Sequence, residues 1–216
     1  MIIYDVNWAA KTAGPSPYNN ERTELFLFGC KKACQGKPCP GCFNSELWDS
    51  SSATITYNVN DVANNIMKFS PNKYVSIGGG EPTDQFFELI ELCRILHENG
   101  YHILVYTWKD LHSIMLNKKH KDHNNFKRLV RYCDIIVDGE YDTTQRKYKE
   151  DAKDGFFNSI GSGNQKIWSI TNDSMIGYRM KSIKNIYLDK NNILHYSLRD
   201  DIAVSQNKIK LVKRKV

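Results

Sequence analysis

Four cysteines, Cys30, Cys34, Cys39 and Cys42, fall within thirteen residues of one run that also carries glycine and proline, Gly29 to Asn44. Thiolates crowded onto a short loop repel one another and oxidise easily, so grouping them gains little unless a cation holds them together. Two metal chemistries fit the spacing. A closed zinc knuckle takes four nearby thiolates, and iron–sulfur clusters are held by cysteines in similar runs. Zinc is disfavoured because no second half-site with matching pairs follows, and 216 residues can bury a core without a zinc staple. If only three of the four cysteines bind a cluster, one iron remains open to a substrate or cofactor, as catalytic metal sites keep a free position. A second group stands about thirty-five residues on: Gly78, Gly79, Gly80, Glu81 and Pro82. Three successive glycines let the polar end of a ligand approach backbone N–H and C=O groups without Cβ interference, although such a run can equally be a tight turn before a helix.

These groups need elements to hold them. The apolar run from Thr23 to Phe28 predicts a strand that delivers the cysteine loop. Asn60 to Phe69 reads as a helix with Val62, Ile66 and Phe69 on one face, and Tyr74 to Ile77 as a strand entering the glycines. Asp84 to Asn99 is the clearest helix, with Phe86, Leu89, Ile90, Cys93 and Leu96 at helical spacing and Asn99-Gly100 to end it. Tyr101 to Thr107 is the next strand; a polar helical region, Lys109 to Arg131, then leads to a strand from Cys133 to Asp138. This alternation predicts an α/β fold with a mainly parallel sheet. Sites in such sheets lie at the carboxyl ends of strands, so the cysteine loop, the glycine run, Thr107 and Asp138 should converge. Residues 142 to 158 are charged and read as a mobile segment or exposed helix. Ile186 to Asp189 and Ile193 to Tyr196, flanking Lys190 to Asn192, carry a hairpin signature.

The net charge of +6 is a mild basic excess, part of it in the tail from Lys208 to Lys215. The aromatic and basic interleaving of a nucleic-acid surface is missing, so no nucleic-acid partner is expected. No apolar run reaches membrane-spanning length and no signal peptide is evident, so the chain reads as cytoplasmic with no membrane partner. Thiols stay reduced there, which favours metal over disulfides. Cys93 and Cys133 stand apart and read as small buried apolar residues.

A glycine–cysteine loop after the first strand, ending Cys39, Pro40, Gly41, Cys42, Phe43, Asn44, and then Gly79, Gly80, Glu81, Pro82 after the next, resembles the radical S-adenosylmethionine enzymes. Within them the chain is most similar to the activating proteins of anaerobic (class III) ribonucleotide reductases. Gln85, Tyr106-Thr107, Asp134 to Gly139 and, above all, Gly161-Ser162-Gly163-Asn164-Gln165-Lys166 match that subgroup. The resemblance implies a partial (βα) barrel of the radical S-adenosylmethionine type over residues 1–170, followed by a small β-rich appendage, residues 171–216, with a β-hairpin and the basic tail. It implies two cofactors, a 4Fe–4S cluster on three cysteines and S-adenosylmethionine chelating the fourth iron. Reductive cleavage would give a 5′-deoxyadenosyl radical that takes a hydrogen atom from one glycine of the reductase. The partners implied are a glycyl radical enzyme, the anaerobic ribonucleotide reductase large subunit, and an electron donor such as flavodoxin or ferredoxin.

Residue by residue, Cys39 and Cys42 match the last two cluster ligands and Cys30 the first, with Cys34 as the rival first ligand. Phe43 matches the aromatic beside the adenine. Gly79, Gly80 and Glu81 match the motif that orders the amino group of S-adenosylmethionine. Thr107, Asp138, Asn164 and Gln165 are further candidates for cofactor or partner contact; Asp138 could equally be a strand-end carboxylate capping a turn. No three of the cysteines here satisfy the Cys-x3-Cys-x2-Cys spacing of the family. Ala13-Gly14-Pro15-Ser16 only echoes its Asp-Gly-Pro-Gly, and Trp108 stands where a small residue is usual. Two alternatives follow: a radical enzyme of the same fold acting on another glycyl radical enzyme or a peptide, and, from a different class, a zinc-stabilised binding module.

Overall fold

A computed structural model describes residues 1–11, 13–53, 55–146, 160–173, 177–188, 194–204 and 209–212. Among the described residues nine strands form one mixed sheet in sequence order: β1 (Ile3–Ala10), β2 (Arg22–Leu27), β3 (Tyr74–Gly79), β4 (His102–Thr107), β5 (Ile135–Asp138), β6 (Lys166–Asp173), β7 (Gly177–Leu188), β8 (Leu194–Val204) and β9 (Ile209–Val212). The ladders from β2 to β5 are parallel, while β1 pairs antiparallel with β2 and β6 to β9 continue antiparallel from β5. The expected mainly parallel sheet is thus confined to four strands. The reason is in the connections: among the described residues α-helices separate only these strands, and a parallel crossover needs such a connection. Among the described residues no helix is long and apolar enough to cross a membrane.

The helices are α1 (Lys31–Cys34), α2 (Val59–Phe69), α3 (Phe86–Glu98), α4 (Leu111–Leu116) and α5 (His123–Leu129). α2 starts where the Asn58 side chain accepts a hydrogen bond from Asn60 N at 2.9 Å, and it buries Val62, Ala63 and Ile66. Phe69, expected on the same face, is instead exposed and meets the Trp8 ring on β1. α3 follows a 3-10 turn, Pro82–Gln85, buries Leu89, Ile90, Leu92, Cys93 and Leu96, and ends before Gly100 at φ +76°. The polar region after β4 divides into α4 and α5, which contribute Leu111, Ile114, Met115, Phe126 and Leu129 to the core. All four longer helices share one apolar core with one face of the sheet; Leu104, Ile135, Val137 and Ile167 form a smaller cluster with Tyr106 and Ile160. Cys93 and Cys133 lie in the main core as expected, although Cys133 precedes β5 rather than belonging to it.

At the amino ends of the parallel strands the buried Arg22 guanidinium donates to Ser76 Oγ, Pro15 O and Val75 O at 2.6–2.7 Å, joining β2 and β3 to the segment that precedes them. Ala13 to Ser16 is therefore part of this closed end, away from the cysteine loop. β7 and β8 pair antiparallel, with Leu188 opposite Leu194; the turn of the expected C-terminal hairpin, and most of the charged stretch 142 to 158, lie outside the described residues.

Candidate metal and cofactor site

β2 ends at Leu27, and Gly29, at φ +105°, turns the chain into the cysteine loop. Gly29 N donates to Leu47 O and Cys30 N to Trp48 O, each at 2.8 Å, so the loop is tied back onto its own exit. α1 is a single turn whose first amide, Lys31 N, donates to Asp84 Oδ2 at 2.7 Å. The Asn44 side chain closes the loop by donating to Gly79 O at 2.9 Å. A cavity of about 480 Å3 opens at the carboxyl ends of β2, β3 and β4. Cys30, Cys39 and Cys42 are on its wall and Cys34 is not; Cys34 is exposed, its thiol 3.2 Å from Trp48 O.

The donor set suits a cluster. Burial pushes the Cys30 thiol up to about 11 and raises Cys39 too, so neither ionises readily without a cation to replace its proton. Lys32, whose Nζ is 3.9 Å from Cys39 Sγ and 2.9 Å from Glu140, works against that rise. Among the described residues no three His, Cys, Asp or Glu side chains are gathered to hold one metal ion. A cluster does not ask for that convergence, because each thiolate takes a different iron.

The glycines contribute in a way different from the one their composition suggests. Gly78 and Gly79 are the last residues of β3, paired with Phe26 and Leu27, and not part of a loop. A Cβ on Gly79, which has φ +111°, would lie 2.3 Å from Leu27 O, and one on Gly80 2.3 Å from Gly29 O. Their missing side chains make room for the backbone entering the cysteine loop, and Gly80 N and Glu81 N donate to those same two carbonyls. Both glycines line the cavity all the same.

Glu81 is 1% exposed. Its Oε1 accepts from Thr83 N at 2.9 Å, from the Thr83 hydroxyl, and from Thr107 Oγ1 at 2.8 Å; Oε2 accepts from Trp108 N at 3.0 Å. Burial raises this carboxyl above its ordinary value while Thr83 and Lys109 pull it down. Glu81 lines the cavity, and its Oε2 accepts from this one donor while Oε1 takes three. Thr107 also lines the cavity, but its hydroxyl is engaged, donating to Glu81 and accepting from Lys109 N at 3.2 Å.

The other predicted residues divide. Phe43, 65% exposed, lies at the cavity edge against Tyr141 with ring centroids 5.1 Å apart. Gln165 lines the cavity, accepting from Gly161 N at 2.8 Å and donating to Gly139 O at 2.9 Å. Asn164 is off the cavity and donates to Glu140 O. Asp138 is also off it: buried, it accepts from Leu111 N at 2.6 Å and holds the start of α4, as a capping carboxylate would. Burial lifts it to about 6, against the pull of that amide.

The lining residues not singled out from the sequence include Glu24, Tyr106 (beyond its place beside Thr107), Trp48 and Tyr141. Glu24 is detectable as the one carboxylate in β2; burial lifts it to about 7, against the pull of Arg22. Tyr141 and Trp48 reach the cavity only through the folding of their loops, and no local pattern marks them.

The sequence description of a 4Fe-4S single cluster domain matches residues 20–168. The chain is also similar to the pyruvate formate-lyase-activating enzymes of Staphylococcus aureus strains USA300 and NCTC 8325 / PS 47, with 28% identity over 118 residues in each case. The match covers 52% of this chain and 43% of each relative, so the chain spans under half the length of the curated relatives it matches. These comparisons support the two cofactors expected from the sequence, a 4Fe–4S cluster and S-adenosylmethionine.

Proposed function

The chain belongs to the family of 4Fe-4S single cluster domains, and on that premise we propose that it is a radical S-adenosylmethionine activating enzyme whose target is an anaerobic ribonucleotide reductase. The observation that carries the reading is the cavity wall: Cys30, Cys39 and Cys42 share it with Gly79, Gly80 and Glu81, and Cys34 lies outside. In this proposal the three lining cysteines hold the cluster. When bound, the cluster and S-adenosylmethionine supply a one-electron reductive bond cleavage and a radical able to take a hydrogen atom.

The protein's part is to bind, orient and shield. Glu81 offers its negative charge to the ammonium of S-adenosylmethionine, and the four bonds already on that carboxylate keep it from turning away. Phe43 and Tyr141 present apolar faces at the cavity mouth suited to an adenine ring. Gln165 acts through the backbone, pinning Gly161, which packs against the Tyr141 ring, and Gly139. The sequential order β2 to β5, with the helices in one core, supports a partial (βα) barrel. Residues 1–170 would be that core and residues 171–216 an extension that docks the reductase.

The element Gly161 to Lys166 favours the reductase as target. The similarity to pyruvate formate-lyase-activating enzymes favours a second reading, in which another glycyl radical enzyme is activated. The test is anaerobic reconstitution with iron and sulfide, reduction by dithionite, and electron paramagnetic resonance with and without S-adenosylmethionine. A reduced-cluster signal that changes shape on addition is expected, followed by a glycyl radical signal on mixing with the reductase but not with pyruvate formate-lyase. A colourless protein that holds zinc and ignores S-adenosylmethionine would replace the enzyme with a zinc-stabilised binding module.

A further inference from the structure

A second cleft, of about 490 Å3, lies on the other side of Trp108 from the cysteine cavity, and Trp108 lines both. α1 runs between them: Cys30, at its start, is on the cavity wall, while Lys31 and Lys32 are on the cleft. The barrier is therefore one indole and one helical turn of four residues, about 6 Å long at 1.5 Å per residue. The indole sits between two cations, with Lys32 Nζ 5.2 Å and Lys109 Nζ 5.9 Å from its ring.

The cleft is basic at its rim and neutralised at its floor. Lys109 is buried and held by Asp122 at 3.0 Å and Asp84 at 4.0 Å, and Lys32 by Glu140. The Asp110 carboxylate caps α4 through Ser113. Lys31, Lys37 and Lys121 are exposed, and among the described residues none of them is in an ion pair. Three exposed lysines thus line an opening whose inner wall is the back of the cysteine loop, Lys31 Nζ also donating to Asp84 O at 3.4 Å.

We propose that this cleft is where an acidic protein that carries single electrons docks, with Trp108 and α1 as the bridge to the cysteine cavity. The inference rests on the proposed function, which requires an electron from outside the chain. The transfer balances simply: the carrier is oxidised by one electron, the cluster is reduced by one, and no bond or proton is exchanged with the lysines. Such encounters are brief and small, and their rate is set by complementary charge more than by buried area. Lysines that are exposed and spread around a rim serve a complementary protein surface, whereas a small anion would need donors buried around it.

The test uses the reconstituted holoprotein and a flavodoxin of net negative charge, reduced to its hydroquinone. Stopped-flow bleaching of the cluster gives the second-order reduction rate as a function of ionic strength, and calorimetry gives the affinity of the same pair. The triple variant Lys31→Glu, Lys37→Glu, Lys121→Glu is expected to lose about tenfold or more in rate at low salt, together with most of its salt dependence and its measurable binding. Reduction of the same sample by dithionite should be unchanged, which shows that the cluster is present. A triple variant that keeps its rate, salt dependence and affinity would overturn the docking site. So would binding that is abolished by millimolar inorganic phosphate at constant ionic strength, because the cleft would then be a small-anion site. A wild-type protein that dithionite cannot reduce would overturn the cluster reading itself, and the docking site with it.

Discussion

At the scale of single residues, the proposed function rests on three thiols and one carboxylate, and these make separate predictions. Cys39→Ala and Cys42→Ala are expected to lose the visible absorbance of the reconstituted cluster and most of the bound iron, whereas Cys34→Ala keeps both. A colourless Cys34→Ala protein beside a coloured Cys30→Ala protein would exchange their roles. Glu81→Gln tests a different property. The amide group that replaces one oxygen cannot accept, so either Trp108 N or the Thr83 and Thr107 donors lose their partner in a buried site. A loss of about 2 kcal/mol in chemical denaturation is expected even without cofactor; unchanged stability would mean that the network is not holding this loop. The cysteines and the glycine–glutamate run were legible in the sequence because their chemistry is local. Asp138 was not: a carboxylate at a strand end can face the site or cap the next helix, and only the position of Leu111 N decides.

At the scale of elements, the closest approach is between the end of β3 and the entry to the cysteine loop. Gly80→Ala would drive a methyl group into backbone, with Gly29 O at 2.3 Å and Leu47 O at 2.8 Å from the new Cβ. Neither atom belongs to a flexible side chain. A loss of about 3 kcal/mol, or failure to accumulate folded protein, is expected from thermal unfolding, and a wild-type melting temperature would refute the tight packing. At the other end of the strands, His102 stacks on Tyr74 next to Arg22. Burial, then the Arg22 charge, depress its imidazole from 6.5 to about 3. The unfolded chain binds a proton below pH 6.5 that the folded chain refuses, so this contribution is intact above 6.5 and is lost as pH falls towards 3. The limiting slope is about 1.4 kcal/mol per pH unit. Urea unfolding at pH 7.5 and pH 5 should show the wild type losing more stability than His102→Gln over that interval; equal losses would remove His102 as the cause. α2 and α3 were legible to within two residues because capping residues and apolar spacing agree. β1 is not legible because Asp5 and Asn7 interrupt its apolar residues and half of it is exposed, and Gly78 and Gly79 suggest a loop because glycine usually ends a strand, whereas here it pairs with β2.

At the scale of the whole molecule, the sheet does not stop where the site does. β6 pairs with β5 on one edge and with β7 along its whole length on the other, and Met180 of β7 is buried in the main core. A chain ending at residue 173 would expose the outer edge of β6 as a row of unpaired backbone groups, a template for a second chain. Light scattering should show that chain growing in mass with concentration; a stable monomer would mark the C-terminal strands as dispensable to the core. The main-chain ties of the cysteine loop have a wider consequence. Gly29 N, Cys30 N and the Asn44 amide are all satisfied by protein carbonyls and not through sulfur. The iron therefore enters a vessel that is already shaped, unlike the small zinc domains that collapse when emptied. A molecule whose cluster has been destroyed by oxygen would remain soluble and recognisable, waiting to be refilled, so that in the cell the damage is a pause in service and not the end of the chain.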